Sequence, residues 1–595
     1  ARDFLSVVLH GVPLAWAKAS TGDVALSGGN LRGELIAAAR ADGFAVRAKT
    51  PLTIDGLSVA RADRPFVRDL NISFNPSADY TPQGWQTEVA AFTVKSGNAT
   101  LLTLDGKAGQ LRGKGEAAKV TARISGDIPA WLRQPVAQSS LALLSGEVTI
   151  DVLASIGLQQ QLQAKIAVKN LAADSKMTTE RLPAIFADLR ADFAAGGKVT
   201  VHAPIIVERD ERKSDLAFSG SLTSGKDKVS IDAQVTSENF VVDDAKILAA
   251  LLPQEGKSTT VSPKPVPDKA PPWGGIVGTV AIAMKRVVYS DTYQVSDVKG
   301  ELRLEGGQVK LAGMRAGLDQ GGEVKLEGTV SFDSAVSNPY GLAASLTVRE
   351  FNPAPLFRAI SPNQPATVEG KFDVTSAFAG RAATVGDLAG AADGDFHLTS
   401  RGGNFRLPVS VVSKVETYGA IAATVARLGS LASALGGKND RSVENIATKA
   451  EAVAALVKGF NPMAYDQLNV VIARDLARNT VLKDFTLIAP EIRLSGTGQA
   501  THRPGESILD EALAMEFKLR ARGYNAELLN YLGVLEPQVD DLGYSLCTLP
   551  LKIRGTLRQP DTAELNERLT SLALEKTGVG DKAADVIQKL FGGGK

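Results

Sequence analysis

Four histidines, His10, His202, His397 and His502, are the side chains best suited to ligate a metal or act as a base near neutral pH. They lie far apart in sequence, and none stands in an H-E-x-x-H arrangement. His397 alternates with Phe396 and Leu398 as a strand residue would, so each histidine is expected to be a surface or strand residue. Gly220-Ser-Leu-Thr-Ser-Gly225-Lys226 carries the glycines and lysine of a phosphate loop. Asp227, however, stands where a magnesium-binding hydroxyl is required, and the segment runs into the alternating residues 229–235 instead of a helix, which predicts a hairpin turn. Gly496-Thr-Gly498 lacks the third glycine and the following helix of a dinucleotide site, so it too is expected to be a turn. The acidic pairs Asp243-Asp244 and Asp540-Asp541 fit helix caps or loops, and Glu208-Arg-Asp-Glu-Arg-Lys213 fits a solvated turn. A single cysteine, Cys547, excludes internal disulfides and zinc clusters. Neither catalysis nor a metal or cofactor is expected.

What the sequence does repeat is a short strand in which large apolar residues alternate with small or polar ones. A period of two places the apolar side chains of a strand on one face. In 278–284 these are Val280, Ile282 and Met284; then come Leu302 and Leu304, Val309 and Leu311, and Val324 and Leu326. Val330 and Phe332, Leu346 and Val348, Phe372 and Val374, Phe396 and Leu398, and Phe405 and Leu407 continue the pattern. It resumes with Phe485 and Leu487, Ile492 and Leu494, the trio Met515, Phe517 and Leu519, and finally Leu551 and Ile553. These residues are the candidates to line one apolar surface.

The chain has 595 residues, 44% hydrophobic and 22% charged, with a net charge of +1. That composition fits a folded chain, and dispersed charges of both signs make nucleic acid an unexpected partner. No run of eighteen apolar residues occurs. Phe4-Leu-Ser-Val-Val-Leu9 reads as the first strand or helix of the fold, or as the exit of a membrane anchor. Residues 1–252 alternate less cleanly than the rest. Six prolines from Pro253 to Pro272 mark 253–275 as a linker or loop. Residues 276–560 hold the sharpest repeats. They are interrupted over 409–460 by two amphipathic helices, one carrying Val411, Val415, Tyr418 and Ala422 and the other Val443, Ile446, Ala450 and Val453. Two more helices are predicted within 561–595, the first capped by Asp561 with Glu564 three residues on.

The expected fold is mainly β: a long twisted antiparallel sheet curled into an elongated hydrophobic groove, with a few amphipathic helices. Two dozen large apolar residues on one face exceed the apolar patch a monomer usually exposes, so something must cover them. An acyl chain of about sixteen carbons would do so, at roughly 0.8 kcal/mol per methylene, or on the order of 12 kcal/mol in all. A closed β-sandwich or solenoid of structural or adhesive purpose would bury the same faces against each other, and alternation does not separate the two.

The second half also resembles a known family. Val298-Lys-Gly300-Glu-Leu302, Gly306-Gly307, Phe351-Asn-Pro-Ala-Pro-Leu356 and Glu369-Gly370-Lys-Phe372 occur in order. Gly390, Gly394 and the closing Ile553-Arg-Gly555-Thr-Leu-Arg-Gln-Pro560 follow. Their succession over roughly 280 residues is similar to the C-terminal region of AsmA-like proteins. The resemblance implies a periplasmic protein of a Gram-negative-type bacterium, anchored to the inner membrane by an N-terminal helix not included in this chain. It implies transfer of phospholipids along a β-groove between inner and outer membrane, in support of outer-membrane integrity. An outer-membrane protein would be a further partner. The insert at 409–460 is not placed by these motifs, which leaves open whether the groove is continuous there.

Overall fold

The computed structural model describes residues 2–17, 24–61, 64–111, 117–137, 143–173, 181–226, 228–251, 270–290, 293–318, 321–355, 365–366, 368–388, 390–406, 452, 455–456, 458–459, 462–475, 478–503, 510–549, 551–556, 559–561, 563–564 and 567. Leu407, the proline-rich 253–269, nearly all of the insert 409–460 and most of 561–595 fall outside them. Of the expected second insert helix, residues 452, 455, 456, 458 and 459 are described, and they are helical. The described chain is mainly β, an open, many-stranded, mixed sheet with few helices. It divides into two compact units: Ala1–Pro265 with Pro272–Tyr289 and Gln294–Ala312, and Val266–Pro271 with Ser290–Tyr293 and Gly313–Lys595.

In the first unit Arg2–Pro13 is the opening strand and pairs with Asn30–Arg40. Thereafter each strand pairs antiparallel with the one before it. The meander runs through Gly43–Arg61, Arg64–Thr81, Gly84–Ser96, Ala99–Leu111 and Ala118–Asp127. It continues through Leu143–Ile156, Gln160–Ala173, Ala184–Ala194, Lys198–Arg209 and Arg212–Ser224 to Val229–Ser237. The phosphate-loop look-alike is a hairpin turn, closed by Gly225 N–H donating to Lys228 O at 2.8 Å.

The next pairing departs from the antiparallel expectation. Val229–Ser237 and the short Phe240–Val241 both pair parallel with Ile276–Ser290. Parallel neighbours require a crossover of a dozen residues or more, and the helix Val242–Leu251 with the proline-rich stretch occupies that part of the chain. The helix start is tied down internally. Asp244, 1% exposed, lies 3.1 Å from Arg209, 4% exposed, and Val241 N–H donates to Ser214 Oγ at 3.0 Å. The charged run 208–213 is therefore a hairpin with one buried arginine.

In the second unit Glu323–Phe332, Tyr340–Phe351, Val368–Ala382 and Ala392–Phe405 form an antiparallel series. The insert leaves after Phe405, and the series resumes beside the same strand with Gln467–Arg474. Thr480–Ile488, Ile492–Thr501, Ala512–Ala521 and Leu551–Gly555 complete it. Gly496 and Gly498 lie inside Ile492–Thr501 and not in a turn, because strand neighbours need the space a Cβ would take. A Cβ at Gly498 would stand 2.6 Å from Ala514 O and from Met515 Cα.

Candidate functional site

Residues directly opposite in an antiparallel ladder point to the same face, so the register reveals which apolar side chains line up across strands. In the second unit one row reads Val324, Val348, Val374, Leu398, Val470, Phe485, Gly496, Phe517 and Leu551. Nine strands thus contribute eight apolar side chains and one glycine to a single line. A parallel row two residues away reads Leu326, Leu346, Ser376, Phe396, Ile472, Leu482, Gly498, Met515 and Ile553. Most of these side chains are half-buried, and Phe396 is 39% exposed.

Toward the opposite rim the face becomes a closed core. The row Phe351, Phe372, Ser400, Leu468, Leu487, Leu494 and Leu519 lies one step beyond Val374 and Phe485. Phe372 is 2% exposed, Leu487 0% and Leu519 5%, packed with Ala452, Leu456 and Leu529. Leu529 belongs to the helix Gly523–Tyr531, whose first turn is capped by Glu491 accepting from Asn525 N–H at 3.1 Å. Burial pushes the hydroxyl of Tyr465, in the same core, above its ordinary range, while its bond to Ser400 Oγ at 3.1 Å pulls the other way. Among the described residues, the apolar face of the second unit is roofed along one rim and half-open along the rest.

In the first unit the corresponding row is Leu104, Ile124, Ile150, Ile166, Ala187, Ile205 and Leu216. Another runs from Val120 through Ala154, Leu162, Ala191, Val201, Gly220 and Ala233 to Val280. Ile282 stands opposite Val235 in the parallel register, and Met284 opposite Ser237. Val280, Ile282, Met284, Leu302, Leu304, Val309 and Leu311 are all half-buried.

Charge is kept on the other face. Lys107–Glu88 at 3.2 Å, Arg123–Asp151 at 3.6 Å, Lys371–Glu350 at 2.8 Å and Lys483–Asp395 at 2.8 Å are cross-strand ion pairs at the alternate positions. The Lys483 hydrogen bond holds the Asp395 carboxyl below its ordinary range. Exposed pairs of this kind contribute little stability, but they keep that face wet.

Two groups of residues escaped the sequence reading. The first-unit rows are obscured because alanine and glycine interrupt the large apolar residues; the alternating residues 229–235 are one trace of them. The helix Gly523–Tyr531 was signalled by Leu528, Leu529 and Leu532 followed by Gly533, which has φ +75° and closes the helix in the left-handed conformation.

Of the histidines, His10, His202 and His397 are exposed, while His502 Nδ1 meets Glu511 Oε1 at 2.8 Å. Asp244 lies in the first turn of a helix, and Asp540 accepts from Leu542 and Tyr544 N–H groups in a turn. No cluster of three or more His, Cys, Asp or Glu side chains among the described residues could hold a metal ion. Nor is any helix among them long and apolar enough to cross a membrane.

Compared with known proteins, residues 87–451, more than half of the chain, match the model of the AsmA family. No curated protein and no solved structure matches the chain.

Proposed function

The chain belongs to the AsmA family, and from that premise we propose that it is a lipid-transfer protein that carries phospholipid acyl chains along the apolar face of its sheet. Family membership fits a protein of the bacterial envelope. Within it, the reading extends to the periplasm, with an N-terminal anchor in the inner membrane and passage of phospholipid toward the outer membrane.

The observation that carries this reading is the register-matched, half-buried row from Val324 to Leu551, with its counterparts in the first unit. A closed sandwich would cover such a row with a second layer of side chains. Among the described residues, that layer is present in the second unit at the rim under Leu456 and Leu529, and in the first unit where Ala130 and Trp131 pack on Leu101. An acyl chain laid across the strands would meet a similar apolar side chain every 4.8 Å or so, which makes successive positions nearly equal in energy and permits sliding. The headgroup would stay in water, consistent with a row from Val324 to Leu551 that includes no charged side chain.

Lipid extraction and native mass spectrometry of the purified chain test the proposal. Co-purifying phospholipid, reduced by Leu304→Asp in a protein that stays folded, is the expected result. A chain that carries no phospholipid and takes none up from vesicles would overturn it.

A further inference from the structure

We propose that one rim of the first unit is a docking surface for an anionic phospholipid bilayer. In a meander, alternate turns lie on the same rim. The turns at 41–42, 82–83, 157–159, 195–197 and 225–228 therefore share one edge, together with the end of Ala99–Leu111. Large apolar side chains at these turns and the adjoining strand ends are exposed; Ile156 and Phe193, two residues beyond Ala154 and Ala191, stand at the outer end of the apolar face. Leu158 is 95% exposed, Leu111 71%, Ile156 52%, Phe44 42%, Phe193 39% and Trp85 36%.

The opposite rim differs. Its turn tips are Gly97-Asn98, Asp210-Glu211 and Glu238-Asn239. The segment Ile128–Ala137 covers part of it, with Gln134 buried and accepting from Arg68 N–H at 2.8 Å. Trp16, Phe66, Leu144 and Tyr289 are its exposed large apolar residues, set on a rim of acidic and amide tips.

Two features select a lipid surface over a protein. Phe44 and Trp85 share one cluster around Tyr80, but Leu111, the Ile156–Leu158 turn and Phe193 sit on separate strand ends, so the rim is a row of small apolar protrusions and not the continuous desolvated patch that a protein interface needs. A fluid bilayer takes up such protrusions one by one, and an amphipathic Trp is well placed at its interface. The charge matches as well. Lys119, Lys198, Lys226 and Lys228 are exposed along this rim against Asp42 and Asp192, with Asp227 between the last two lysines in sequence, while Asp79 is already paired with Arg40. Lysines beside inserting apolar residues favour anionic headgroups. A shallow cavity of about 660 Å³ between Trp85, Lys107, Leu111 and Lys119 opens on the same rim and could seat one headgroup. This docking does not depend on lipid being carried along the sheet face.

Flotation with vesicles of phosphatidylglycerol and phosphatidylcholine, and with phosphatidylcholine alone, tests the inference. The whole chain should float with the mixed vesicles, less with phosphatidylcholine alone and less in high salt. Leu158→Asp should lower binding roughly tenfold or more. Lys198→Glu should lower it on the anionic vesicles only, and Leu144→Asp on the opposite rim should leave it unchanged. All sites are exposed, so circular dichroism should match wild type, and co-purified phospholipid should be unaltered by Leu158→Asp. The inference is overturned by absent vesicle binding, by equal binding of Leu158→Asp, or by an equal loss in Leu144→Asp. It is also overturned if Leu158→Asp changes the oligomeric state instead, since the rim would then be a protein contact.

Discussion

Phe517 lies over Gly496, so closely that a Cβ on the glycine would stand 2.2 Å from Phe517 Cδ1. The ring also meets Phe485 edge-on, with centroids 5.3 Å apart and planes at 89°. Three neighbouring strands are thereby locked at the border between the closed core and the half-open face of the second unit.

Gly496→Ala should therefore push the Phe517 ring out of its seat and cost about 1–3 kcal/mol, as overpacking does. Urea unfolding followed by circular dichroism reads this directly. Combining it with Phe517→Leu should recover part of the loss, because the smaller side chain leaves room for the methyl group. Additive losses would mean that the two residues do not share the space as described.

That pair also marks what was legible in the sequence. Alternation located the strands and assigned Phe485, Leu494 and Phe517 to one face, since side-chain direction follows from a period of two. It could not assign Gly496, because a glycine in a strand and a glycine in a turn look alike until the neighbour that needs its space is known. Nor does alternation encode strand direction, so the parallel pairing of Val235 with Ile282 was invisible. Open and closed parts of the face were equally indistinguishable: Val374 and Phe372 sit two residues apart in one strand, yet only Phe372 is roofed by the core around Leu529.

The buried pair Arg209–Asp244 joins the crossover helix to the sheet. Asp244→Asn would leave a buried guanidinium without its counter-charge and should cost about 3–5 kcal/mol. The double replacement Arg209→Met with Asp244→Leu should restore most of that stability, because neither charge then has to be desolvated. Chemical denaturation of the single and double variants checks this; an unaffected Asp244→Asn would show that the pair does not hold the helix.

Cys547 is packed in the second unit, and burial pushes its thiol above the ordinary value of 9.0, with a backbone hydrogen bond at Leu549 opposing. The neutral, enclosed thiol should resist maleimide at neutral pH and react only once urea opens the unit. Because its folded pKa lies above the unfolded one, the associated stability is full below the unfolded value and is lost as pH rises through the folded value. Cys547→Ala should accordingly flatten the alkaline end of the stability profile. Fast labelling of the native chain would contradict this placement.

Leu487 and Ile282 carry similar side chains in similar strand patterns, but the first is 0% exposed in the roofed core and the second is half-buried on the open face. An aspartate at 487 places a carboxylate where neither water nor a partner can reach it, and Leu487→Asp should fail to fold or lose about 4 kcal/mol or more. At 282 water already has access, so Ile282→Asp should fold with little change in melting temperature while retaining less phospholipid than wild type. Parallel melts and phosphorus assays of extracted lipid separate the two roles. If Ile282→Asp melts normally and keeps its full lipid complement, that residue does not line the path of the acyl chain.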